Sequence, residues 1–163
     1  MLTIRKATIR DLRAITGIYN EAVLHTSATF DTATKTVEEQ RVWFDHHGDK
    51  LPVIVAEEEK QVIGWAGLSA WSDRRAYSGT AEASLYIKEG LRGKGTGRML
   101  SGAILKAGKD AGLHTIILRI AEGNDASITL AKSLGFKEIG IMKEVGKKFG
   151  KLLDVTLLQL IYD

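Results

Sequence analysis

Between the apolar run Ala83-Ser84-Leu85-Tyr86-Ile87 and the periodic run Met99-Leu100…Ile104-Leu105 lies the segment Arg92-Gly93-Lys94-Gly95-Thr96-Gly97-Arg98. Glycines at alternate positions, flanked by cations, therefore join a strand to a helix. No other stretch restricts the fold as tightly. The first N–H groups of a helix have no partner within it, and the helix dipole favours an anion at that end. Glycine lets a ligand approach the backbone closely, with no side chain in the way. The loop reads as a phosphate cradle, and its chemistry alone does not say which phosphate.

The 163 residues suffice for one domain around one sizeable core. Apolar residues make up 44% and charged residues 26%, an ordinary balance for a globular chain. The sequence contains no cysteine, which excludes disulfides, thiol nucleophiles and thiolate metal sites. The four histidines, His25, His46, His47 and His114, have no metal-ligand spacing, so no metal is expected. No long uncharged apolar run is present, which predicts no membrane span. Met1–Lys6 has no apolar signal region after it, so the expected location is the cytoplasm. A net charge of +3 suits a polyanionic small molecule. Basic and aromatic residues do not interleave, so no nucleic-acid partner is expected. Lys143, Lys147, Lys148 and Lys151 read as a solvated face.

Residues 2–6 alternate as a short strand. Thr8 or Asp11 caps a helix that carries Leu12, Ile15, Ile18, Tyr19, Ala22 and Val23 on one face. A shorter helix covers 37–46, with Val42, Trp43 and Phe44 as its apolar content. Strands follow at 53–56 and 62–68, joined by a turn at 57–60, and then at 80–88. A helix over 97–111 is stopped by Gly112. A buried-type strand at 115–121 leads to a helix capped by Asn124 or Asp125 and ended by Gly135. Strands at 136–142 and 152–161 close the chain. The order βααβββαβαββ predicts an α/β fold, of α+β character, with a twisted mixed sheet and a parallel crossover only in its middle.

The glycine loop fails two phosphate-binding templates. It has no G-x-x-x-x-G-K-[ST] string, and it is not the G-x-G-x-x-G that opens a dinucleotide domain. It does match [RQ]-x-x-G-x-[GA] through Arg92, Gly95 and Gly97. Together with Asn124-Asp125-Ala126-Ser127-Ile128…Leu134-Gly135-Phe136 and the element order, it resembles the GNAT superfamily of N-acetyltransferases over essentially the whole chain. Three further stretches resemble the phosphinothricin N-acetyltransferase branch: Ile18–Val23 with Thr29-Phe30, Arg75–Glu82, and Glu144–Gly150 with Asp154-Val155. That branch acetylates the α-amine of small amino-acid analogues such as phosphinothricin, methionine sulfoximine and methionine sulfone.

The resemblance implies acetyl-CoA as co-substrate and direct attack of an amine on its thioester, with no covalent enzyme intermediate. It implies Glu82 as general base, acting through one or two waters. The run around it, Thr80-Ala81 and Ala83-Ser84, carries no charge. Leu85, Tyr86 and Ile87 would hold the pantetheine arm through their backbone, and Gly93, Lys94, Gly95, Thr96, Gly97 and Arg98 the pyrophosphate, with Arg92 at the first position of the motif. Asn124 would bond the pantetheine arm, a role that can hold together with that of helix N-cap. Where many relatives carry a tyrosine to protonate the leaving thiolate, this chain has Ala131, so the general acid stays unassigned. Arg75, and after it Arg74, would bind an acceptor's anionic groups, with Tyr77 and Phe30 lining the pocket. A homodimer is also implied. Two alternatives stay open: another amine acceptor, such as a peptide N-terminus or a polyamine, and a non-catalytic acyl-CoA-binding module.

Overall fold

The computed structural model describes the whole chain, Met1–Asp163. The elements are β1 (Leu2–Lys6), α1 (Leu12–His25), α2 (Val37–Asp45), β2 (Val53–Glu58), β3 (Gln61–Ala70), β4 (Thr80–Ile87), α3 (Thr96–Asp110), β5 (Thr115–Ala121), α4 (Asp125–Ser133), β6 (Lys137–Lys148) and β7 (Lys151–Ile161). Short 3-10 turns precede α1, at Ile9–Asp11, and β4, at Arg75–Tyr77. The strands form one sheet in the order β1-β2-β3-β4-β5-β7-β6. Only β4 and β5 run parallel, joined by the α3 crossover. The other neighbours are antiparallel.

Alternation along the central strands sorts their side chains into two cores. Val53 and Val55 of β2 and Trp65 of β3 meet Ile15 and Ile18 of α1, with Tyr19, Trp43 and Tyr86 against them. Ile54 and Ala56 of β2, Ala66 and Leu68 of β3 and Ala81 of β4 face the other way, onto Leu100 and Ile104 of α3 and Ala131 of α4. Thus α1 and α2 cover one face of the sheet, and α3 and α4 the other. Burial of the central strands on both faces explains why they read as near-continuous apolar runs.

The C-terminal strands differ from expectation in two ways. β6 continues past Met142 to Lys148. Its register against β7 shifts between Met142 and Gly146, and Glu144 there has φ 51°. The Glu144 amide donates to the Asp154 carboxylate at 2.8 Å. This bulge breaks the period-2 pattern in the sequence while the strand itself continues. The second difference is Lys148, which is only 5% exposed, so it does not belong to a solvated face. Its Nζ donates to the Thr29 carbonyl at 2.7 Å, and burial pulls its pKa below the ordinary lysine value.

Candidate active site

β4 and β5 share a ladder only from Thr80↔Thr115 to Glu82↔Ile117. Beyond Glu82, β4 stays paired with β3 as far as Gly64↔Ile87, but it leaves β5. The split opens a cavity of about 570 Å³, in the range of small-molecule sites. It runs between β4, β5, α3, α4 and the segment 27–31. Leu85 and Tyr86 line it from the unpaired stretch of β4. Ile87 does not line it. Its side chain packs beneath the start of α3, 3.3 Å from where a Cβ on Gly97 would stand.

Glu82 sits at the fork itself, the last residue of β4 paired with β5. Its surroundings are not the uncharged ones that its sequence neighbours suggest. Arg119 of β5 grips it, with Nε donating to Oε2 and Nη2 to Oε1, both at 2.6 Å. This bidentate pair fixes both carboxylate oxygens, and the hydrogen bond raises the pKa of the Arg119 guanidinium. The guanidinium also lies 5.4 Å above the Trp71 ring. Sequence reading missed Arg119 because the pair is 37 residues apart. The available signal was a lone cation inside Ile116-Ile117-Leu118-Arg119-Ile120.

On the same face of β4, next to Glu82, lies a polar cluster also missed from sequence. The Tyr19 hydroxyl donates to the Asp31 carboxylate and shares a 3.0 Å hydrogen bond with Thr29 Oγ1. Burial, then the Asp31 contact, raises the Tyr19 pKa. Burial pushes Tyr86 up to about 12. Both phenols stay protonated at neutral pH, and the Tyr19 hydroxyl donates to Asp31.

Phe30 lines the cavity, with its ring laid across Gly146 of β6: a Cβ there would stand 2.1 Å from the ring. Glycine is thus required at 146 for Phe30 to hold this position. Asn124 stands at the N-cap of α4 without capping it. Its Nδ2 instead donates to the Ala121 carbonyl at 2.8 Å and to Ser27 Oγ at 3.2 Å, at the cavity wall. Ala131, also in the wall, offers no hydroxyl.

The glycine loop leads into the helix whose Ser101, Ile104 and Leu105 line the cavity. Gly93 and Gly95 have φ of 78° and 87°, a conformation that side chains with a Cβ rarely adopt. Nothing stands within 4 Å of a Cβ on either, and Arg92, Gly93, Lys94 and Gly95 are exposed. α3 begins at Thr96, one residue before the expected start, with Gly95 as its N-cap. Open backbone and unpaired amides at a helix start fit a pyrophosphate. Arg98 is less free than its neighbours, since Nη2 donates to Ser133 Oγ of α4 at 3.0 Å. Together, the loop and the unpaired stretch of β4 fit a ligand with a phosphate end and an amide-rich arm. Arg74, Arg75 and Tyr77 are not brought into the cavity. They are exposed on the turn that leads into β4.

The profile of the acetyltransferase (GNAT) domain family matches residues 4–157. The L-methionine sulfoximine/L-methionine sulfone acetyltransferase of Pseudomonas aeruginosa is 37% identical over 99% of this chain and 95% of its own length. A GNAT superfamily phosphinothricin acetyltransferase from Sinorhizobium meliloti, solved in complex with acetyl-CoA, superposes with a TM-score of 0.94 at 35% identity. That match covers 98% of this chain and 88% of the other. A ribosomal-protein-alanine N-acetyltransferase from Brucella melitensis superposes with a TM-score of 0.95 at 37% identity, over 98% and 99% of the two chains. The profile, the relatives and the forked sheet agree: this chain belongs to the GNAT acetyltransferases and uses acetyl-CoA as its co-substrate.

Proposed function

We propose that the protein acetylates the α-amine of a small amino-acid analogue of the methionine sulfone, methionine sulfoximine or phosphinothricin type, by direct transfer with Glu82 as general base. The observation that carries this reading is the position of Glu82. It stands at the fork of β4 and β5, with both oxygens held by Arg119 and the cavity beside it. Bound in the fork, acetyl-CoA supplies the acetyl group as a thioester. The backbone of Leu85, Tyr86 and Ile87 is proposed to hold its arm, and Asn124 to bond it. Residues Arg92 to Arg98 are proposed to hold its phosphates. Glu82 takes the proton of the incoming ammonium through one or two waters. Arg119 orients that carboxylate and neutralises its charge at rest. The chain has no cysteine to carry the acetyl group, in keeping with direct transfer.

Arg75, with Arg74, is proposed to meet the acceptor's carboxylate. Its guanidinium forms no ion pair within the chain, and its turn leads into the Glu82 strand. Phe30 is proposed as an apolar wall of the cavity, and Tyr77, on the exposed turn before β4, is proposed to meet the acceptor from outside it. We also propose a homodimer. β6 is an edge strand of 12 residues that exposes Ile139, Ile141 and Val145. Phe149 and Leu152 extend the apolar surface around the hairpin. Edge strands of this length and composition are usually covered. The similarity to a ribosomal-protein-alanine acetyltransferase favours a second reading, with a peptide N-terminus as acceptor.

The test is Glu82→Gln, assayed by release of free CoA thiol. A drop in kcat of about 10²–10⁴ with the KM for acetyl-CoA unchanged is the expected loss for a general base. An unchanged kcat across pH removes Glu82 from the mechanism. In the same assay, Arg75→Ala raises the acceptor KM and leaves that of acetyl-CoA alone.

A further inference from the structure

Ser69 of β3 and Glu82 of β4 are direct partners in the antiparallel ladder, so their side chains leave the same face of the sheet. Directly opposed Cβ atoms stand about 4.5–5.5 Å apart, and one water spans from a serine hydroxyl to a carboxylate across such a pair. The fold leaves space for it. A second cavity, of about 500 Å³, is lined by Ser69 and shares Tyr19, Asp31, Ser84 and Tyr86 with the cavity that Glu82 lines.

Behind Ser69 stands His47, just past the end of α2. Its Nδ1 lies 2.7 Å from the Trp43 carbonyl, and its Nε2 lies 3.3 Å from Ser69 Oγ. A carbonyl oxygen only accepts, so Nδ1 carries the hydrogen, and the neutral ring keeps its lone pair on Nε2. The Ser69 hydroxyl therefore donates to Nε2. A carbonyl that orients the ring, and a hydroxyl that links it to the Glu82 face of the sheet, make His47 a base with a defined direction. His46 makes the same bond to the Val42 carbonyl, also at 2.7 Å, but its ring is exposed to solvent. Ending α2 therefore does not by itself call for the link from His47 to Ser69.

The groups facing the His47 ring are Trp43 and His46 at the end of α2 and Leu68 and Ser69 on β3. Burial is the largest influence on the ring, and His46 adds to it, so its pKa falls below the ordinary 6.5. The Trp43 and Leu68 carbonyls favour the charged ring and offset only part of this. His47 is thus neutral at pH 7 and open to a proton, with carbonyls in place to hold the imidazolium. Proton acceptors work best with a pKa near the working pH, and an imidazole meets that condition better than a carboxylate, whose ordinary value is about 4.3.

We propose that Ser69 and His47 form a proton relay that draws the acceptor's ammonium proton onward from Glu82. The inference rests on the reading of the protein as an acetyltransferase with Glu82 as base. The ammonium gives its proton to Glu82 through water. The Glu82 carboxyl passes a proton through one water to Ser69 Oγ as the Ser69 hydroxyl proton moves to His47 Nε2. Glu82 ends as a carboxylate, Ser69 as a neutral hydroxyl and His47 as an imidazolium, and the amine keeps the lone pair that attacks the thioester carbon. The partly exposed ring then releases its proton to solvent. Both residues act through Glu82 and are positioning residues for this transfer.

His47→Gln tests the relay, since it keeps a hydrogen-bonding end and cannot hold a proton at neutral pH. Followed by thiol release with acetyl-CoA and L-methionine sulfone, it should lose about tenfold or more in kcat with both KM values unchanged. In the wild type, kcat should fall as pH drops through the His47 pKa, below 6.5, because a charged ring accepts no proton. That inflection should be missing from His47→Gln. Added imidazole should restore the rate of His47→Gln and not that of Glu82→Gln. Ser69→Ala should repeat the loss, Ser69→Thr should recover most of it, and His46→Gln should behave as wild type. Wild-type kcat and inflection in His47→Gln overturn the relay and leave the acetyltransferase reading intact. So does a loss of kcat that imidazole does not restore and Ser69→Ala does not share. If His47→Gln does not fold, the Ser69 variants decide alone, and a wild-type kcat in Ser69→Ala overturns the relay. A wild-type protein that acetylates no amino-acid analogue overturns the underlying function as well.

Discussion

Glu82 and Arg119 show how far single residues speak for themselves. The family pattern around Glu82 marks it in the sequence, and the fold sets it at the fork of β4 and β5. Its bidentate partner is not marked in this way, because strands that pair in space are separated along the chain by a whole helix. The same holds for Lys148. In sequence it is one of several lysines near the chain's end. In the fold it is buried, with its ammonium on the carbonyl of Thr29, the residue that also holds Tyr19. Phe30 and Gly146 form another such pair. A glycine in a charged strand run reads as a weak point, yet it is the only residue that leaves room for the ring. Arg75 runs the other way: the pattern marks it as a binding residue, and the fold leaves it exposed outside the cavity.

At the scale of elements, helices and strands were mostly legible from periodicity and caps. Thr36 closes a reciprocal capping box with Glu39 at the start of α2, a pattern visible in the letters Thr-Val-Glu-Glu. The parting of β4 and β5 was not legible from local pattern, since Ala83–Ile87 has no proline or glycine to mark where pairing ends. Neither was the anchor of the first strand. Arg5 of β1 donates to both oxygens of Asp11, at 2.8 and 2.9 Å, and to Glu57 of β2 at 2.8 Å. Asp11 is 6% exposed and also accepts from the Thr8 amide at 2.7 Å. Burial pushes the Asp11 carboxyl up, but the Arg5 and Thr8 hydrogen bonds outweigh it, and the pKa falls below its ordinary 3.8. A depressed carboxylate stabilises the fold above the unfolded pKa, and that contribution is lost as pH falls through the folded value. Asp11→Asn should therefore cost about 1.5–3 kcal/mol at pH 7, the range for hydrogen bonds to charged groups. The difference from wild type should shrink as pH drops below 3.8. Thermal melts from pH 7 to pH 2 read this directly, and a gap that widens in acid contradicts it.

At the scale of the whole molecule, the sheet order, the two cores and the forked centre open a cavity with Glu82 at its edge. No helix is long and apolar enough to cross a membrane. The exposed apolar strip on β6 predicts that sedimentation in solution gives twice the 17.8 kDa chain mass. Ile141→Lys should return it to one chain, and a wild-type protein that sediments as a single chain contradicts the dimer. The acceptor class is the part least legible from the sequence, because the residues around the Glu82 face of β4 come from elements far apart along the chain. Acetyl transfer from acetyl-CoA to the α-amine of an amino-acid analogue is tested by thiol release from the purified protein, given acetyl-CoA with L-methionine sulfone, L-methionine sulfoximine, phosphinothricin or an alanine-terminated peptide. Rapid release with the amino-acid analogues and little with the peptide is the predicted result; release with the peptide alone, or with none of them despite tight CoA binding, contradicts the claim.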